Sequence, residues 1–143
     1  MSDKYDVLKL DNQLCFPLYA LSKEIVRKYT PFLNEIDLTY TQYIVMMVMW
    51  EDREISVKDL GKRLYLDSGT LTPLLKTLEK KGLVKRERSK EDERFLVVSI
   101  TEVGMALREK AVDIPAKLGG CISMDEKDAM QLYTIVRKVL GQL

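Results

Sequence analysis

Residues 55–101 read ISVKDLGKRLYLDSGTLTPLLKTLEKKGLVKRERSKEDERFLVVSIT, and the changes of period within this stretch decide the fold. Ser56, with Asp59 three residues on, has the spacing of a helix N-cap, and Ile55 and Leu60 have that of a hydrophobic staple. The spacing predicts a short helix ending near Leu64. Asp67 or Ser68 opens the next helix, whose Leu71, Leu74, Leu75 and Leu78 share one face and which stops at Gly82, a typical residue just past a helix end. Pro73 is awkward in that helix, because an interior proline loses a hydrogen bond and crowds the preceding turn. The regular helix is therefore expected to start later than Asp67. Beyond Gly82 the pattern turns strand-like over Leu83–Arg88 and again over Phe95–Ile100, joined by a charged tip at Ser89–Glu93. Two helices, a short turn and a β-hairpin make a winged helix-turn-helix, in which the second helix enters the major groove of DNA.

The flanks are helical. Leu14, Leu18, Leu21 and Ile25 fall on one face of a first helix expected over Leu10–Tyr29, with Cys15, Tyr19, Ser22, Val26 and Tyr29 as a second stripe. So wide an apolar face suits packing against more than one neighbour, a second subunit included. Pro31 is expected to end this helix. Thr39 and Gln42 have capping-box spacing and open a helix through Ile44–Trp50 that is apolar nearly all round, the expected buried centre. Thr101 starts a helix to about Lys117, Gly119 and Gly120 break it, and Ser123 with Glu126 is expected to cap the last helix. The expected fold is thus mainly α with a small β-hairpin wing, in one domain over residues 1–143. The winged helix-turn-helix lobe is expected at about 39–100, with dimerisation helices at about 1–38 and 101–143.

Composition narrows the function. The chain has 143 residues, enough for one core, and carries 46% hydrophobic and 31% charged residues, as an ordinary folded protein does. No apolar run approaches the 18 or so residues of a membrane span, and Met1–Lys9 lacks the apolar centre of a secretion signal, so a cytoplasmic location is expected and no membrane partner. There is no histidine, which removes Ser-His-Asp and Cys-His catalysis and any His-bearing zinc site; two cysteines alone cannot complete a Cys₄ site. No catalytic residues, metal or cofactor are therefore expected. Residues 1–55 carry 6 basic and 9 acidic side chains, residues 56–100 carry 11 and 7, and residues 101–143 carry 6 of each. The positive excess lies in the middle third, where a phosphate-contacting surface would sit. Ser68, Gly69, Thr70 and Thr72 are small and polar enough to meet base edges or phosphates, with Lys76 placed for a phosphate. Arg86, Arg88, Lys90 and Arg94 give the wing the charge to follow a backbone or enter a narrow minor groove. On composition alone, a solvated helix start and a solvated turn explain these residues equally well.

The run Asp92-Glu93-Arg94, followed by Ile100-Thr101 and Gly104, resembles the wing signature of the MarR family of regulators. Leu64 to Lys76, including Pro73, resembles the recognition region of that family's OhrR branch of organic hydroperoxide sensors, and so does Gln13-Leu14-Cys15-Phe16. The resemblance covers nearly the whole chain. It implies a homodimer that binds double-stranded operator DNA when reduced and releases it when organic hydroperoxide oxidises Cys15. It further implies that Asp92 orients Arg94 toward the minor groove, and that Tyr29 and Tyr40 of a partner subunit donate hydrogen bonds to the Cys15 thiolate. A thiol senses peroxide as a thiolate, and Cys15 lies early in its helix, where the macrodipole favours negative charge. Tyr19, one turn on, is a further donor candidate. Phe16, Leu14, Leu18 and Trp50 would favour an apolar peroxide. Pro17 departs from the motif: it suits a first-turn position that brings Cys15 nearer the positive helix end, or it distorts the pocket. Cys121, beside the glycine pair, matches the resolving cysteine of the two-cysteine OhrR type, implying a Cys15–Cys121 disulfide between subunits. Three other readings stay open at this point: a MarR-type regulator of a small aromatic ligand, a thiol peroxidase, and a dimerising helical protein without a DNA role.

Overall fold

The computed structural model describes residues 3–143; Met1 and Ser2, the start of the polar amino-terminal stretch, lie outside the described residues. Two 3₁₀ turns, Asp6–Leu8 and Leu10–Asn12, precede α1 (Cys15–Asn34). The first helix therefore starts later than Leu10. The Asn12 and Gln13 side chains donate back to the carbonyls of Asp6 (2.7 Å) and Val7 (2.7 Å), which holds the chain in tight turns instead. Pro17 is the third residue of α1, among N–H positions that lack a helical partner in any case, so it fits the helix start and leaves Cys15 as its first residue. Pro31 does not end the helix. It strips the donor from one carbonyl, that of Arg27 four residues back, and the burial of Leu33 carries the helix on to Asn34.

The central lobe follows: α2 (Tyr40–Asp52), β1 (Glu54–Ser56), α3 (Val57–Leu64), α4 (Ser68–Lys80), β2 (Val84–Arg88) and β3 (Leu96–Ile100). Its boundaries come from local side-chain bonds. Thr39 and Gln42 form the full capping box, Ser56 accepts from Asp59 N–H at 3.1 Å, and Asp67 Oδ1 accepts from Thr70 N–H at 2.8 Å. Helix α4 closes in a Schellman motif: Leu83 N–H donates to Leu78 O (3.0 Å), and Gly82 N–H to Glu79 O (2.9 Å), with Gly82 at φ +75°. The regular helix starts at Ser68 after all, with Pro73 as its sixth residue. The sheet has three antiparallel strands in the order β1-β3-β2, one more than the expected hairpin, with Ile55 and Arg86 both opposite Val98. Val45, Met46, Met49, Leu60, Leu75, Leu78 and Val98 are fully buried between these elements.

After Thr101, whose hydroxyl caps the start by accepting Gly104 N–H at 3.0 Å, the expected single helix is three short ones, α5 (Glu102–Ala106), α6 (Arg108–Ala111) and α7 (Ile114–Gly119). Pro115 offers no N–H to the Ala111 carbonyl, which accounts for the second break. The last helix, α8 (Glu126–Leu140), is capped by Asp125, accepting Asp128 N–H at 2.7 Å, and not by Ser123; aspartate caps as well as serine and here stands directly before the helix. No helix among the described residues is long and apolar enough to cross a membrane.

Candidate nucleic-acid interface and redox site

Helix α4 buries its leucine face on the lobe core and turns Ser68, Gly69, Thr70, Pro73 and Lys76 outward, with Thr72 half-buried at the edge. Pro73 has no N–H for the Gly69 carbonyl four residues back, so that carbonyl loses its helical donor at the exposed end of α4. Thr77 Oγ1 donates to the Pro73 carbonyl at 3.1 Å. The expected reading face is thus a run of small polar groups with backbone acceptors among them.

The wing is ordered by its own side chains. Ser89 Oγ accepts the N–H groups of Glu91 (3.3 Å) and Asp92 (3.4 Å), and Ser89 N–H donates to Phe95 O at 2.8 Å. Asp92 holds Arg94 by a fork, Nε to Oδ1 at 3.0 Å and Nη2 to Oδ2 at 2.7 Å. Hydrogen bonds from the Arg94 side chain and backbone keep the Asp92 carboxyl below its ordinary pKa, and the carboxylate in turn raises that of Arg94. The Arg94 side chain is nevertheless 84% exposed, a cation fixed in direction and open to solvent. Arg88 and Lys90 are exposed on the same hairpin. Arg86 differs: its Nε donates to Glu79 Oε2 at 3.0 Å, so it braces β2 against α4 and its charge is already matched. Arg63, not singled out from the sequence, bonds Glu51 (2.7 Å) and Asp52 (2.8 Å), which joins α3 to the end of α2.

The redox candidates are spread out. Cys15 is exposed at the start of α1 and Tyr29 lies near its other end, about 21 Å away at 1.5 Å per helical residue. Tyr29 meets Tyr40, the first residue of α2, with ring centroids 5.0 Å apart, and Tyr43 at 5.7 Å. Burial, followed by the neighbouring Tyr40 and Tyr43, pushes the Tyr29 phenol up to about 12; burial raises Tyr40 and Tyr43 as well. All three are therefore protonated and able to donate at neutral pH. Tyr43 was missed because α2 is apolar nearly all round, so its spacing of three from Tyr40 did not stand out. Tyr19 is away from this cluster, exposed with Lys23 Nζ over its ring at 5.1 Å. Trp50 packs edge-on against Tyr43 at 6.3 Å, and Phe16, Leu14 and Leu18 stand exposed around Cys15.

Cys121 is also exposed. It lies in a shallow groove against Glu24, Arg27, Lys28, Pro31 and Phe32, with its Sγ donating to Lys117 O at 3.5 Å. Those α1 residues begin nine positions beyond Cys15, about 14 Å along the helix, whereas a disulfide needs Cα atoms within about 7 Å. One chain in this conformation cannot join its own two cysteines. The apolar residues of the outer helices point the same way. Leu14, Leu18, Leu21 and Val26 of the first helical stretch, and Met130, Tyr133, Ile135 and Val139 of α8, are all exposed.

Comparison with known proteins bears on the family and the fold. The family of transcriptional regulators SarA/Rot matches residues 27–111. The organic hydroperoxide resistance transcriptional regulator of Bacillus subtilis is 47% identical over all 143 residues, covering 97% of that protein. Among solved structures, reduced AbfR of Staphylococcus epidermidis bound to DNA superposes with a TM-score of 0.79 at 33% identity, covering 97% of this chain and 96% of that one. AbfR with its disulfide formed superposes at 0.67 and 32% identity, covering 97% and 95%. The matched family and the Bacillus subtilis relative are transcriptional regulators.

Proposed function

The chain belongs to the MarR family of transcriptional regulators and to its organic hydroperoxide regulator branch, and from that premise we propose that it is a homodimeric operator-binding repressor switched by the thiol of Cys15. The observation that carries this reading is the separation of Cys15 from the Tyr29–Tyr40 cluster within one chain, beside helices α1 and α8 whose apolar faces have no cover. A two-fold related copy covers both faces and brings the Cys15 of one subunit to the protonated tyrosines of the other. Two winged lobes then address successive major grooves, with Ser68, Gly69, Thr70, Thr72 and Lys76 on the duplex and Arg94, aimed by Asp92, in the flanking minor groove. Arg88 and Lys90 follow the backbone, and Arg86 supports the wing from behind.

The chemistry needs an organic hydroperoxide, ROOH. The Cys15 thiolate attacks the terminal oxygen, the O–O bond breaks, and the products are a Cys15 sulfenic acid and the alkoxide, which takes a proton to leave as ROH. The thiol of Cys121 from the other subunit displaces hydroxide from that sulfur. An S–S bond forms, water departs, and the two electrons taken from the cysteines have reduced the peroxide. Pulling the start of one α1 toward the other subunit's α7–α8 junction shifts the two lobes out of register with the grooves. The disulfide form of the AbfR relative supports a covalent route of this kind.

Operator release is tested by mobility shift with the DNA upstream of the protein's own gene, before and after one equivalent of organic hydroperoxide and again after dithiothreitol. Loss of the shifted band and its return on reduction are expected. A band that survives oxidation and falls only with an aromatic effector would replace the thiol switch with a ligand switch.

A further inference from the structure

Trp50 is the only tryptophan of the chain, and it stands between the tyrosine cluster and the DNA-facing elements. On one side its ring meets Tyr43, which is 2% exposed and touches both Tyr29 and Tyr40. On the other side its indole N–H donates to the Gly104 carbonyl at 2.9 Å. Gly104 is closely packed: a Cβ there would run into the Leu83 carbonyl oxygen and lie 2.9 Å from Ile100 Cγ1. The same junction is fastened by Thr101, whose hydroxyl donates to Gly82 O at 2.6 Å and whose N–H donates to Leu83 O at 3.1 Å. Gly82 and Leu83 form the Schellman closure of α4 and lead directly into β2. A continuous line of ring contacts and hydrogen bonds thus runs from the two sensing phenols to the point where recognition helix and wing meet.

We propose that Tyr43 and Trp50 are positioning residues that carry the arrangement of Tyr29 and Tyr40 to the α4–wing junction, so that the redox state of the thiol sets the seating of α4. The inference rests on the thiol-switch reading above. When the oxidised sulfur leaves the phenols, Tyr29 and Tyr40 lose an acceptor and repack. Tyr43 is packed too tightly to absorb the change, and Trp50 moves with it. The indole bond to Gly104 passes that movement to Leu83, because close-packed interiors shift between discrete arrangements and do not deform smoothly. Tyr43 is buried and Trp50 half-buried, and the coupling itself is the quantity to measure.

Trp50→Phe keeps an aromatic ring and removes the donor, and Tyr43→Leu removes the ring between the phenols and the indole. For each variant, operator affinity is measured reduced and after one equivalent of cumene hydroperoxide. The reduced affinity is expected within about threefold of the parent, and the fall on oxidation at least tenfold smaller. A fall equal to the parent's overturns the proposal. The unaltered protein gives a second measurement, independent of how the variants fold: Trp50 emission should shift on oxidation, return with dithiothreitol, and stay fixed in Cys15→Ser. If the unaltered protein releases its operator while Trp50 emission stays constant, this proposal fails and the thiol switch stands. If the unaltered protein keeps its operator after oxidation, the thiol switch fails, and the relay with it.

Discussion

The winged lobe and the outer helices are built from similar amounts of apolar sequence, yet they finish differently. Helix α2 buries six of its residues and α4 buries four, all within one chain. Helix α8 buries none, and of the twenty residues of α1 only Leu33 is buried. The lobe satisfies itself, whereas the outer helices carry faces that their own chain leaves uncovered. This difference teaches where the proposed sensing chemistry would occur. Cys15 sits on the incomplete part and Tyr29 and Tyr40 at the edge of the complete one, so in the proposed switch a subunit contact joins them.

The comparison can be broken first at its strongest point. Leu75→Ala, in the closed core of the lobe, should cost about 2–5 kcal/mol in urea unfolding, independent of protein concentration. The matching change on α8, Ile135→Ala, should cost stability only through the dimer, with a midpoint that moves with protein concentration. A concentration-independent loss there would mean that α8 packs within its own chain.

Putting a charge on the same face sharpens the contrast. Ile135→Asp should weaken the dimer by about a hundredfold, because the two-fold axis places the unpaired carboxylate in the interface twice. Sedimentation velocity would show monomer at concentrations where the parent is dimeric. On the lobe, Arg94→Ala should weaken operator binding by about 1–3 kcal/mol, read by fluorescence anisotropy, and Asp92→Asn by less, since the arginine remains but loses its fixed direction.

The smallest effect concerns the tyrosines. Tyr29 is held as a phenol to about pH 12 against an ordinary 10, so the folded state keeps a proton that the unfolded state releases. Its contribution to stability is complete below pH 10 and is lost as pH rises through about 12. An absorbance titration at 295 nm should contain a component near 12 that Tyr29→Phe removes. If that component persists in the variant, Tyr29 is not where it arises.

What could be read from the sequence was short-range. The caps at Thr39, Ser56 and Asp67 and the stop at Gly82 each depend on residues three to five apart, and all four formed. The pairing of Asp92 with Arg94, two residues apart, was equally accessible through the family signature. Features decided at long range were not. Strand β1 has three residues, too few for a period, and exists because Ile55 pairs with Val98. Pro31 looked like a helix end because nothing local shows that Leu33 is pinned in the core. Arg86 read as one more wing cation because its partner, Glu79, lies across a helix end and a turn. Tyr43 and the bond from Trp50 to Gly104, which spans 54 positions, carried no periodic signal at all.

The division between a closed lobe and an open dimer face can be tested with two halves of the proposed switch. Cys121→Ser retains only the sensing thiol and Cys15→Ser only the resolving one, and the two proteins are mixed, allowed to exchange subunits and treated with organic hydroperoxide. A covalently linked pair on a non-reducing gel, formed in the mixture and in neither protein alone, is the predicted result. A linked dimer from Cys121→Ser by itself, or an internally bridged monomer from the unaltered chain, would contradict the account.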